Sequence, residues 1–500
     1  MTSLPIRSSH AMAVACVLVL AGSSPAFSSR SLHAQGRTAT PLPAVLPSGA
    51  PAPLPPERYR NLARELLAEL VAINTTHGSG DNTRAAEAMR ARLLAAGFPE
   101  EDVLVAAPAP RKGNLVARLR GRDRSLKPIV LLSHIDVVEA DAADWTLPPF
   151  ELVERDGVFY GRGTADDKDE SAIHLATIIR MKEEGYVPNR DIVVALTADE
   201  EGGSHNGVRF LLEQHREWID AAFVINEGGG GVLDDDGNRV ANTVQAAEKR
   251  VHNFRFEVLN PGGHSSRPRA DNAIYELAQG LVRISAYSFP VRLTEVTREY
   301  LRRDAERAER AEPTMAAAMR AILRNPNDTA AAAVLSRDVR LNSMLRTTCV
   351  ATMLEGGHAS NALPQRARAT VNCRVHPEDD PQYVRRTLAE VASVPTLDVS
   401  GGTAGGGNPT SPLTPEILRA IELATEEMWP GVPVIPTMST GATDGRYFRM
   451  AGIPTYGVSG LFYGETGAHG MNERVPVQSF YEGQEFIYRL VRLLTTPGVT

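Results

Sequence analysis

Residues 129–136 read IVLLSHID and residues 192–201 read IVVALTADEE. Each is a run of apolar, mostly branched side chains that stops at histidine or at acids. A strand with one wet face alternates apolar and polar residues, whereas an unbroken apolar run of this length marks a strand covered on both faces, as in a parallel sheet between helices. A third run, from Ala222 to Asn226, ends at Glu227 in the same way. Ligands of open α/β sheets bind beyond the carboxyl ends of the strands, so His134, Asp136, Glu200, Glu201 and Glu227 are expected around one crevice.

The flanking sequence supports an α/β unit. Tyr59, Leu62, Leu66 and Leu70 share one helical face, and Asn82-Thr83 opens a second helix that Gly97 ends. An apolar strand from Asn114 to Leu119 follows. Near residue 248 the rhythm changes. Phe254, Phe256 and Val258 alternate with polar residues, as do Ala367, Ala369, Val371, Cys373 and Val375, which suggests half-exposed antiparallel strands with helices on one side. Residues 298–325, rich in Arg, Glu and Ala, read as helical insertions within that second unit. Glycines 401, 402, 405, 406 and 407 mark the return. Thr414-Pro415 starts a helix, a strand spans Val432 to Thr437, and a closing helix runs from Pro476 to Leu494. The expected organisation is a catalytic α/β domain over 57–247 and 409–500 with a mostly parallel sheet, interrupted at 248–408 by an α+β lid or dimerisation domain.

Five hundred residues exceed one ordinary core, which agrees with two units. A net charge of −7 spread over the chain favours no polyanion, so nucleic acid is excluded as a partner. Arg7 and His10 precede an apolar run from Ala11 to Ala21 and the small residues Ser24-Pro25-Ala26. This reads as a cleaved signal over residues 1–26, exporting the protein to the periplasm or beyond, and it is too short for a stable membrane span. Residues 27–56 form a proline-rich tether. Cys16 leaves with the signal; Cys349 and Cys373 are either a disulfide or two small core side chains on neighbouring strands, and the sequence leaves both open.

A fourth segment, from Tyr160 to Lys168, adds Asp166 and Asp167 at the start of a helix. Singly, such acids are usually solvated turns, and a lone histidine is usually a structural hydrogen-bonder. Together they would point uncompensated negative charge into one crevice, which needs cations. Imidazole and carboxylate donors suit zinc, with manganese or cobalt as alternatives.

These segments, SHIDVV (133–138), GRGTADDK (161–168), TADEEGG (197–203), INEGG (225–229), PGGHSS (261–266), SNALP (360–364) and GAHGMNE (467–473), resemble those of the M20 metallopeptidases. WTLPPF (145–150), INEGG and GHSSRP are most similar to the branch containing carboxypeptidase S and the secreted N-acyl amino acid hydrolases. The resemblance implies a zinc-exopeptidase-like fold with two zinc ions. It assigns His134 and Glu227 to one metal, Glu201 and His469 to the other, and Asp166 to both. It further implies that Asp136 orients His134, that Glu200 is the general base, and that His264 stabilises the developing charge on the carbonyl oxygen. Arg374 and Asn361 would hold the substrate carboxylate, and the Asp166-Asp167 peptide bond would be cis.

The implied reaction is hydrolysis of an amide bond beside a free carboxylate, in a small peptide or an N-acyl amino acid. Many members form homodimers through the second domain and lend its histidine across the interface. Residues 288–345 depart from the compact form of that domain, which leaves the origin of the acting His264 open. A catalytically silent capture protein of the same fold is the alternative, against which the complete set of ligands plus Glu200 argues. A dinucleotide-binding oxidoreductase is disfavoured because Gly228 to Gly231 are followed by Asp234, Asp235 and Asp236. Residues 440–444 turn from a strand into a helix and are either an anion site or an ordinary turn.

Overall fold

A computed structural model describes residues 46–49, 52–402 and 408–498. The expected signal, most of the tether and glycines 405–407 lie outside these residues. The larger body is built on a ten-stranded mixed sheet. Its middle is parallel: Ile192–Thr197, Ile129–His134, Phe223–Asn226 and Thr455–Gly457 lie side by side. Asn114–Leu119 and Val103–Ala106 continue one flank antiparallel. On the other flank Arg239–Glu248 runs antiparallel to Thr455–Gly457 and parallel to Val434–Ser439.

The strands Ile129–His134 and Ile192–Thr197 are buried at every residue. Period-two alternation sends their side chains to two different layers. Ile129 and Leu131 join the core beneath helices Glu57–Ala72, Lys168–Glu183 and Val477–Thr495, whereas Val130 and Leu132 pack with Val208, Leu211 and Phe448 on the opposite face. Covered on both sides, the strands have one free direction, their carboxyl ends, and it is there that the polar residues begin.

The smaller unit is a four-stranded antiparallel sheet in the order Thr348–Gly356, Arg366–Val375, Arg250–Leu259, Leu397–Gly401. Helices Ala273–Ser285 and Pro381–Ala392 cover one face, over a core of Phe254, Phe256, Val258, Ala369, Val371 and Val375. Cys349 and Cys373 are directly opposite across two strands and form a disulfide, which resolves the alternative the sequence leaves open.

One grouping differs from the expectation. Helices Glu295–Arg307, Pro313–Arg324, Thr329–Leu335 and Val339–Met344 fall inside the segment read as the inserted unit, yet Val296, Leu301, Met319, Leu335 and Leu341 are buried in the larger core with Ala246, Val434 and Met438. An apolar stripe shows that a helix buries one face; it does not show against which sheet. The junction is pinned by Lys249, whose buried ammonium donates to Ser343 O and Arg346 O at 2.8 Å each and to Thr348 Oγ1 at 3.0 Å. Among the described residues no helix is long and apolar enough to cross a membrane.

Candidate metal centre

His134 ends its strand with its side chain only 2% exposed. Its Nδ1 donates to Asp136 O at 3.0 Å, and Nε2 faces Asp166 Oδ1, also at 3.0 Å. The Asp136 carboxylate also faces this ring, with Oδ1 3.6 Å from Nδ1, and it accepts from Glu200 N and Glu201 N, at 3.1 Å each, which fixes the turn beyond the neighbouring strand.

Asp166 sits where the Arg162-bearing loop enters helix Lys168–Glu183, and the peptide bond after it is cis. Arg162 ties this loop to the one carrying His469, donating to Glu473 Oε2 at 2.6 Å and to Gly470 O at 2.8 Å. Glu473 in turn accepts from Ala165 N at 2.9 Å, so one buried ion pair sets Asp166 against His469. His469 adopts a left-handed φ of 61°, uncommon outside glycine and typical of residues held in place for function.

Two sets of donor atoms result. His134, Asp166 and Glu227 form one, and Asp166, Glu201 and His469 the other; within each, the donor atoms lie within 4.8 Å of one another. Asp166 belongs to both, directing Oδ1 at His134 and Oδ2 at His469, 3.1 Å away. Glu201 Oε1 is 3.0 Å from His469 Nε2, yet this buried oxygen accepts no hydrogen bond. Two electron-pair donors aimed at a common point are what a cation requires, and mixed nitrogen and oxygen donors fit zinc or a similar divalent ion.

Electrostatics of the polypeptide alone agree with this. Burial pulls the His134 pKa down, but the bond to Asp166 and the charges of Glu227 and Asp136 outweigh it and hold the ring well above its usual value. Asp166 is opposed by burial yet held below the normal carboxylate range by its two histidines. The hydrogen bond to Asp166 lifts His469 to about 9. Burial, reinforced by neighbouring acids, raises Glu201 to about 7 and Glu200 and Glu227 well above the carboxylate range. Burial and the charge of Glu200 together raise Glu227, and burial with the charges of Asp444, Asp136 and Glu201 raises Glu200.

The remaining expected residues are in the smaller unit. His264 lies in the short strand Gly263–His264, paired with Ala362–Leu363, and its Nδ1 accepts from Ser266 Oγ at 2.8 Å. Asn361 is beside it, accepting through its carbonyl from Ser265 N. Arg374 is not with them. It lies opposite Val251 at the base of the sheet, whereas the ladder reaches Leu259 and Arg366 before the hairpin that carries His264 and Asn361. At about 3.3 Å per residue, Arg366 and Arg374 alone are separated by about 26 Å, so Arg374 and Asn361 do not converge within this chain.

The turn at 440–444 holds an anion of the protein's own. Thr443 N and Oγ1 donate to Glu248 Oε2 at 3.1 and 2.9 Å, and Glu248 also pairs with Arg449 at 2.6 Å. Asp444, which the sequence does not single out, is buried behind the centre and accepts from Asn206 Nδ2 at 2.6 Å. A buried acid five residues beyond a strand has no periodic signature, and only its partners 238 and 247 residues earlier, Asn206 and Thr197, explain it.

A mixed α/β sheet whose strand ends bring two donor sets together around a shared carboxylate defines a metallohydrolase. The chain belongs to the peptidase family M20/M25/M40, whose profile matches residues 130–493. It is 28% identical to the human N-fatty-acyl-amino acid synthase/hydrolase PM20D1 over 385 residues, 75% of each chain. It is 27% identical to a probable carboxypeptidase S-like protein of Dictyostelium discoideum over 76% of this chain and 74% of that one. Among solved structures, the M20 family metallo-carboxypeptidase of Sulfolobus solfataricus superposes with a TM-score of 0.65 at 19% identity, covering 87% of this chain and 99% of that one, and shares the fold.

Proposed function

We propose that this protein is an exported two-zinc amidohydrolase that cleaves the bond between an acyl group and an amino acid carrying a free carboxylate. The observation that carries the reading is the sharing of Asp166 between two donor sets beside the buried Glu200. His134, Asp166 and Glu227 would hold one zinc, and Asp166, Glu201 and His469 the other. When bound, the pair supplies Lewis acidity toward water and the scissile carbonyl. Glu200, buried and therefore basic for a carboxylate, takes the proton of the attacking water and returns it to the leaving amine. Asp136 holds the turn from which Glu200 acts. Likeness to the human N-fatty-acyl-amino acid synthase/hydrolase favours an N-acyl amino acid over a dipeptide. The disulfide supports export, since such bonds persist in oxidising compartments.

His264 from the smaller unit would donate to the carbonyl oxygen as charge develops there, with Asn361 and Arg374 on the substrate carboxylate. Because Asn361 and Arg374 do not converge within one chain, this assignment favours a homodimer in which His264 and Asn361 serve the partner's centre. The edge strand Thr348–Gly356, with Val350, Met353 and Leu354 exposed, is a suitable seam.

Glu200→Gln is expected to retain two metals and lose about 10²–10⁴-fold in turnover of N-acyl amino acids. Full activity in that variant removes Glu200 as base. Mixing Glu200→Gln with His264→Ala protein should restore activity if histidine acts across a dimer; a mixture as inactive as its parts rules that out.

A further inference from the structure

The turn that carries Glu200 and Glu201 is held from behind by a segment outside every metal-binding motif, Lys112-Gly113-Asn114. Asp199, the residue before Glu200, adopts φ 60°, a left-handed conformation that a side chain with a Cβ disfavours. A position of this kind persists when its surroundings over-determine it. Here they do. The Asp199 side chain is 1% exposed, and Lys112 Nζ stands 2.5 Å from its Oδ1, with the Lys112 side chain itself only 11% exposed. His205 N donates to Asp199 Oδ2 at 3.2 Å, and Asn206 Nδ2 to Asp199 O at 3.1 Å.

One residue earlier, Ala198 N donates to Asn114 Oδ1 at 2.9 Å. Asn114 Nδ2 reaches back to Lys112 O at 3.2 Å, so the two anchors are bound to each other. Gly113 lets the segment pass close against the start of helix Asn82–Ala95: a Cβ there would lie 2.6 Å from Thr83 Cα. From the far side Asp136 receives Glu200 N and Glu201 N. The backbone is therefore gripped immediately before Glu200 and at Glu200 itself.

We infer that Lys112, acting through Asp199, is a positioning residue for the hydrolytic reaction. Its ammonium holds the left-handed turn, and the turn aims the Glu200 carboxylate at the water whose proton it removes. The side-chain partners of the Lys112 ammonium are Asp199 and His77, neither of which belongs to the two donor sets. The inference rests on Glu200 being the general base.

The test compares Lys112→Met, Lys112→Arg and Asp199→Asn in the full-length metal-loaded enzyme, each also in a Glu200→Gln background. Lys112→Met should lower kcat about 10–100-fold, the scale expected of a base displaced by about an ångström, with KM changed less than about twofold and two metals retained. Lys112→Arg should recover most of the loss. Asp199→Asn, whose asparagine tolerates the left-handed backbone, should match Lys112→Met, and it carries the test if Lys112→Met does not fold. In the Glu200→Gln background the Lys112 substitution should have no further effect on residual turnover.

An equal fold-loss in both backgrounds, or loss of metal in step with activity, overturns the inference. Unimpaired kcat in Lys112→Met and Asp199→Asn does so too. A fully active Glu200→Gln parent instead overturns the assignment of the base, a separate failure.

Discussion

The two donor sets share a carboxylate but differ in almost everything else. The first is anchored in the sheet, with His134 closing a fully buried strand at 2% exposure; the second hangs on a loop, with His469 56% exposed. The first is therefore preorganised by the core, and the second depends on the Arg162–Glu473 pair that crosses between loops. This asymmetry predicts one tightly held and one exchangeable cation, each serving the same reaction.

Breaking the shared element has the largest expected effect. Asp166→Asn should abolish turnover and leave at most one metal per chain by elemental analysis; two retained metals would show that the sets are independent. Next come the histidines taken separately. His469→Asn should keep one cation and its thermal stability, whereas His134→Asn should lose metal and stability together, because it leaves buried acids without their cationic neighbour. Equal metal loss in both variants would remove the distinction.

Metal removal gives a pH signature of intermediate size. Glu201, Glu200 and Glu227 have folded pKa values above their unfolded value of about 4.3, so the stability they contribute is complete below it and is lost as pH rises through their folded values, near 7 for Glu201. His469, raised to about 9, acts in the same direction: its contribution is complete below about 6.5 and gone above 9. The depressed Asp166 contributes above about pH 4 and does not oppose them in this range. Chelator-treated protein should consequently melt about 5–15 °C below the metal-bound form near pH 8 and approach it near pH 5, as calorimetry would record. A gap independent of pH contradicts the charge balance drawn here. The smallest effect belongs to Asp136→Asn, expected to weaken metal binding about 10–100-fold in a chelator competition while leaving both sites.

The strands at 129–134 and 192–197 were legible because burial on both faces leaves a plain mark: Ile192–Leu196 is filled by apolar residues alone, and the acids that follow must then point somewhere. Cys349 and Cys373 were legible as partners only up to the register of two strands, which a sequence does not print. Arg374 and Asn361 show the same limit at greater cost, because their side-chain chemistry suits one carboxylate while the ladder carries them apart. Lys112 and Asp199 are 87 positions apart, and a lysine before a strand carries no sign that it is nearly buried. The helices at 295–344 announced an apolar face without an address.

Chain order gives the interrupted body one last consequence. The smaller sheet draws its core from residues 254–399, so everything it needs has left the ribosome while the larger sheet still lacks Val434–Ser439 and Thr455–Gly457. The second donor set comes into existence only when residue 469 has been made, and the helix that seals the body, Val477–Thr495, comes later still. A chain released early would carry a finished smaller sheet and a donor set that still lacks His469.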